Sequence, residues 1–118
     1  MKKIIVSYDS QSIDICKEPL CYPNKAYFVL LFYPTYVEPG TNINIVWRVT
    51  NDYGYSITQC EVQWRYVGES TYTHIETANV LGKNWMVNFL SPSEITTIQF
   101  RIKAVINAEA FYSDGNYI

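Results

Sequence analysis

The chain has 118 residues, 17% of them charged and 16% aromatic with eleven Tyr, and a net charge of −2. This is one domain's length, enough to bury a core without disulfide or metal staples, and its charge lies below the ~25% of an average protein. Nine basic and eleven acidic residues are scattered along it, and the one adjacent basic pair is Lys2–Lys3, so the clustered positive charge needed to grip a phosphate backbone is missing and nucleic acid is not an expected partner.

Met1–Val6 opens like a signal peptide, but the apolar run ends at Ser7-Tyr8-Asp9 without a small-residue cleavage site. No apolar stretch approaches the ~20 residues of a membrane-spanning helix. Synthesis in a cytoplasm without export or membrane insertion is the expectation. Residues 1–25 read as an arm or extra hairpin, with a weak strand at Ile4–Tyr8, attached to a domain over residues 26–118. The cysteines are Cys16, Cys21 and Cys60, an odd number suited to free thiols in a reducing compartment. Cys16 and Cys21 leave open a bridge or a metal site with Cys60 and His74, although no paired ligand spacing is present; no metal or cofactor is expected.

Ala26–Tyr33 is apolar on both faces, which an outer strand of an isolated sandwich is not. Either the arm folds back over it or another chain covers it. Period-2 alternation puts Tyr27, Val29, Leu31 and Tyr33 on one face as a candidate assembly surface. Asn42–Thr50 then directs Ile43, Ile45, Trp47 and Val49 inward. Cys60–Tyr66 does the same with Cys60, Val62, Trp64 and Tyr66, leaving Glu61, Gln63 and Arg65 outward. Thr71–Thr77 is a weaker strand, in which His74 reads as a solvated edge residue. Trp85, Val87 and Phe89 alternate with Met86 and Asn88. Ile98, Phe100, Ile102, Ala104 and Ile106 alternate with polar neighbours, and a last weak strand lies around Phe111–Ser113. Turn residues separate these runs, and only Glu94–Thr97 suggests a single helical turn. Strands with one wet face each, spaced this way, predict antiparallel sheets packed over one core.

From about Pro34 onward the pattern resembles a fibronectin type III domain. The resemblance rests on Trp47 in Ile45-Val-Trp47, on Glu61-Val-Gln-Trp-Arg-Tyr66 followed by Gly68, on the Leu90-Ser-Pro92 corner, and on Arg101-Ile-Lys-Ala-Val-Ile-Asn107. Ile98 stands where the family's corner Tyr is usual, and Ala108-Glu-Ala110 replaces the Gly between its last strands. The resemblance implies an all-β, Ig-like antiparallel β-sandwich, to which residues 1–25 add the N-terminal arm. Such motifs specify architecture and not function.

No nucleophile elbow, phosphate loop or dinucleotide fingerprint occurs, His74 is the single histidine, and no catalytic residue is assigned. The expected sandwich brings three loops to one end, where Asp52, Tyr53, Tyr55, Lys83, Glu109, Phe111 and Tyr112 form a candidate binding surface. A small Ig-like module with these surfaces is expected to be a non-enzymatic structural, decorating or adhesion component of a virus particle such as a bacteriophage virion, made in the host cytoplasm and assembling through the N-terminal arm, residues 1–25, and the apolar strand with other protein subunits or copies of itself. The alternative is a carbohydrate-binding module whose loop tyrosines stack on surface glycans.

Overall fold

A computed structural model describes residues 3–9, 16–17, 20–21, 26–51 and 54–114. These residues form strands and turns, with no helix among them, so the single helical turn expected at Glu94–Thr97 is absent. Twelve strands follow in chain order: β1 Ile4–Tyr8, β2 Cys16–Lys17, β3 Leu20–Cys21, β4 Tyr27–Phe32, β5 Tyr36–Val37 and β6 Asn42–Thr50. After them come β7 Ile57–Tyr66, β8 His74–Thr77, β9 Asn79–Leu81, β10 Asn84–Leu90, β11 Thr97–Ile106 and β12 Glu109–Tyr112.

Two sheets pack as a sandwich. The larger runs β5-β1-β11-β7-β8, with β12 also paired to β11; the smaller runs β4-β6-β10-β9; β2 and β3 form a separate hairpin in which Cys16 and Cys21 are backbone partners. Alternation explains the core. Ile43, Ile45, Trp47 and Val49 on β6 are buried, as are Cys60, Val62 and Trp64 on β7 and every second residue of β11 from Ile98 to Ile106. Val87 and Phe89 close the core from β10. Strands with one apolar face can bury it only by facing a second sheet, and the two inner faces here do so.

The expected boundary at residue 26 does not hold at its N-terminal side. β1 lies inside the larger sheet, paired in parallel with β11 from Ile5↔Thr97 to Tyr8↔Phe100, and Ile4 and Val6 belong to the core. β12 pairs with β11 only from Lys103 to Ile106. One edge of β11 is therefore covered by two different strands laid end to end. Every other pairing among the described residues is antiparallel.

Turn chemistry fits the tight hairpins. Gly82 takes φ +63 at the first position of the two-residue β9–β10 loop, as a type II′ turn requires. Asn107 and Ala108 both have positive φ, at 51° and 66°, which gives the β11–β12 loop type I′ character with an alanine where glycine is preferred. At the opposite end, Ser91 ties the Glu38–Thr41 turn to β10: its hydroxyl accepts from the Thr41 amide at 3.0 Å, and its amide donates to the Thr41 carbonyl at 2.8 Å.

Candidate functional site

The outer faces of the two sheets have opposite characters. On the larger sheet, β7 and β11 pair Gln63 with Arg101 and Arg65 with Gln99. Arg101 Nε donates to Gln63 Oε1 at 2.8 Å, Gln63 Nε2 donates to Glu61 Oε2 at 2.8 Å, and Arg65 donates twice to Gln99 Oε1. Arg101 also forms an ion pair with Asp114 at 2.9 Å. Guanidinium groups of Arg65 and Arg101 lie 4.3 and 4.5 Å from the Tyr72 ring centre, and Arg101 lies 4.2 Å from that of Tyr112. Tyr72 donates from its hydroxyl to Asp9 at 2.5 Å. Glu61 and Gln63, expected to be solvated, are buried within this network. The donors and acceptors satisfy one another, so this face is organised internally.

The smaller sheet presents apolar side chains outward. Register places Phe32, Val46 and Met86 in one row across β4, β6 and β10, and Val29, Arg48, Asn84 and Leu81 in the next. Phe32 is 54% exposed, Val29 48% and Leu31 47%, and Leu81 and Leu90 are also exposed. Arg48 Nε donates to Asn84 Oδ1 at 3.1 Å. Among the described residues β4 ends this sheet, so a long apolar strand is also an edge strand.

Of the expected assembly surface, Tyr27, Val29 and Leu31 are exposed and Tyr33 is not. A β-bulge between Leu30 and Phe32 is the reason. One extra residue flips the alternation, so Phe32 takes the outward place and Tyr33 turns inward, 5.5 Å from the Phe100 ring and 6.3 Å from Tyr8. An apolar run gives no periodic cue for a bulge; only pairing with β6 reveals it.

The expected loop cluster is corrected in its content. Register does bring the β6–β7, β9–β10 and β11–β12 connections to one end. Phe111 and Tyr112, however, lie in β12 and are buried, Phe111 in the core and Tyr112 beneath Arg101. Asp52 and Tyr53 lie outside the described residues. Tyr55, Lys83 and Glu109 remain exposed at that end. The backbone at Tyr55 is clamped by Asn51, whose side chain accepts from the Tyr55 amide at 2.9 Å and donates to its carbonyl at 2.7 Å.

His74, expected as a solvated edge residue, is half-buried. It stacks on Trp64 at 3.9 Å, and Trp64 stacks in turn on Phe89 at 5.6 Å. The register His74↔Trp64 puts His74 on the inward side of β8 and leaves Ile75 outward. A depression of about 480 Å³ at the other end is lined by Tyr66, Pro92, Ser93, Glu94, Ile95 and Thr96, with Glu94 its one carboxylate. Among the described residues no three His, Cys, Asp or Glu side chains converge as a metal-holding group. Among the described residues no helix is long and apolar enough to cross a membrane.

Tyr72, Asp9 and Asp114 hold the larger sheet's outer network together, and sequence reading assigned none of them to it. The alternating polar residues of β7 and β11 were a partial signal, because cross-strand register turns them into pairs; Tyr72 and Asp9 come from distant segments that only the fold unites. A scan against protein-family models, a search of curated proteins and a search of solved structures each found no match.

Proposed function

We propose that this chain is a non-catalytic, Ig-like assembly module that binds protein subunits through the β4 edge and the outer face of the β4-β6-β10-β9 sheet. One observation carries the reading: Tyr27–Phe32 is, among the described residues, a six-residue apolar edge strand with Tyr27, Val29, Leu31 and Phe32 all exposed. Such an edge offers a row of main-chain donors and acceptors together with an apolar contact surface, and isolated soluble domains usually blunt it with charge or proline. β4 contains neither. Antiparallel pairing of β4 with β4 of a second copy would extend the sheet across a two-fold axis, with the same residues contributed from both sides. A component of a virus particle, built from repeated copies, is the setting this surface suits.

Support for the Ig-like subtype comes from strand order, with β8-β7-β11-β12 facing β4-β6-β10-β9.

Light scattering over a concentration series tests the assembly surface. The expected result is a mass rising above the 13.7 kDa of one chain, and a return to one-chain mass in the Val29→Lys/Phe32→Lys double variant with an unchanged circular dichroism spectrum. A single-chain mass throughout, or association that the double variant leaves intact, would overturn the proposal.

A further inference from the structure

We infer that β1 is an exchangeable strand, able to leave its own β11 and occupy the same slot on β11 of a second copy of the chain. The slot is defined by the two-strand edge of β11. β12 covers Lys103–Ile106 and stops, and the remaining Thr97–Phe100 edge is filled by β1 in parallel. Into that slot β1 places Ile4 and Val6, 0% and 3% exposed, and it sets the Tyr8 ring against Phe100 at 5.0 Å. The pairing is thus both incomplete without β1 and specific for it.

What holds β1 in place lies along the slot itself: Ile4 and Val6 sit in the core, and Asp9 at the strand's end accepts from Tyr72 and Ser113. The outer neighbour of β1, β5, has only two residues, and the flanking bonds are Val6 N–H to Thr35 at 2.9 Å, Ile5 N–H to Thr96 at 3.2 Å and Asp9 N–H to Phe100 at 2.7 Å. Each of these contacts is available unchanged from a partner's β1, so exchange preserves them all. Parallel pairing imposes no tight turn between β1 and β11. Toward the rest of the domain, β1 continues only through residues 10–25, which reach β4 in the opposite sheet. A tether of this kind gives β1 an effective concentration on the order of millimolar at its own slot, so exchange competes when the protein itself approaches that concentration, as in a close-packed assembly.

This inference is independent of the β4 surface, and its test is built to keep the two apart. All chains carry Cys16→Ser, Cys21→Ser and Cys60→Ala, together with Val29→Lys/Phe32→Lys to silence β4. Ile5 and Thr97 are partners in register, and Ile5 is exposed, so cysteines there report the pairing without entering the core. One chain carries Ile5→Cys, another Thr97→Cys. They are mixed near millimolar concentration, incubated, oxidised and analysed by denaturing, non-reducing electrophoresis and peptide mass spectrometry. Exchange yields a band at twice the chain mass containing a disulfide between positions 5 and 97, a product neither chain can form alone. Absence of that linkage, while a chain bearing both substitutions closes it internally at low concentration, would overturn the inference. Failure of the internal bond to close would overturn it as well, by showing that β1 does not occupy this register.

Discussion

The Ser113 hydroxyl donates to the Asp9 carbonyl at 3.1 Å, joining the ends of β12 and β1 across 104 positions of sequence. The same oxygen accepts from the Ile102 amide at 2.8 Å, and the Ser113 amide donates to the Ile102 carbonyl at 2.8 Å. Ser113 therefore fills the gap in the β11 ladder between its two edge partners. Ser113→Ala leaves the buried Ile102 amide without its acceptor and is expected to cost about 1–3 kcal/mol, read as a lower urea midpoint at unchanged slope. A shift equivalent to less than about 0.5 kcal/mol, the size usual for a neutral surface change, would show that the hydroxyl is not needed at the junction.

Ile4 tests whether β1 is part of the domain. Ile4 and Trp47 are both 0% exposed. Ile4→Ala is expected to destabilise by about 2–5 kcal/mol and Trp47→Ala by about 3–5 kcal/mol in chemical denaturation. An appended arm would make the first change nearly neutral while leaving the second severe.

Cys60 lies in the core facing the Trp47 indole, whose N–H makes no conventional hydrogen bond and has only this weak sulfur acceptor. Burial pushes the Cys60 thiol up to about 12, so almost no thiolate exists at neutral pH. In a Cys16→Ser/Cys21→Ser chain, alkylation at pH 8 is expected only as fast as the protein unfolds, and at full speed in denaturant. Rapid labelling of the native chain would place Cys60 outside the core.

Tyr72 and Tyr8 set an alkaline limit. Burial first, and then the hydrogen bond to the Asp9 carboxylate, raises the Tyr72 phenol well above its ordinary value of 10.0. Burial raises Tyr8 likewise. In the unfolded chain both ionise near pH 10 while the folded chain keeps the protons, so the unfolded state binds fewer protons and stability falls as pH rises. The stabilisation is complete below pH 10 and is lost above it. Urea midpoints should be flat approaching pH 10 and decline beyond, with part of the tyrosinate absorbance appearing only on unfolding.

Ala108, at φ 66°, occupies a conformation that favours glycine. An L residue there costs about 1–2 kcal/mol, and the extra freedom of glycine in the unfolded chain returns part of that. Ala108→Gly is expected to raise stability by about 0.5–1 kcal/mol in denaturant titrations. A loss of stability would mean the β11–β12 turn is not strained.

Alternation by itself determined the sandwich core. Ile43 to Val49, Cys60 to Trp64 and Ile98 to Ile106 announce their inward faces because a half-buried strand repeats every two residues, whatever its neighbours. Local patterns, though, carry no information about which strands pair. Only the tertiary structure decided that Ile4–Tyr8 completes the edge of β11, that a bulge in the uniformly apolar β4 exchanges Tyr33 for Phe32, and that Phe111 and Tyr112 are covered. The same holds for the outer faces. Polar alternation on β7 and β11 predicted solvent, yet register set Gln63 against Arg101 and brought Tyr72, Asp9 and Asp114 from three distant segments to close a network. Hydrophobic pattern is a property of each strand, whereas register, bulges and long-range hydrogen bonds exist only between strands, once the chain has folded.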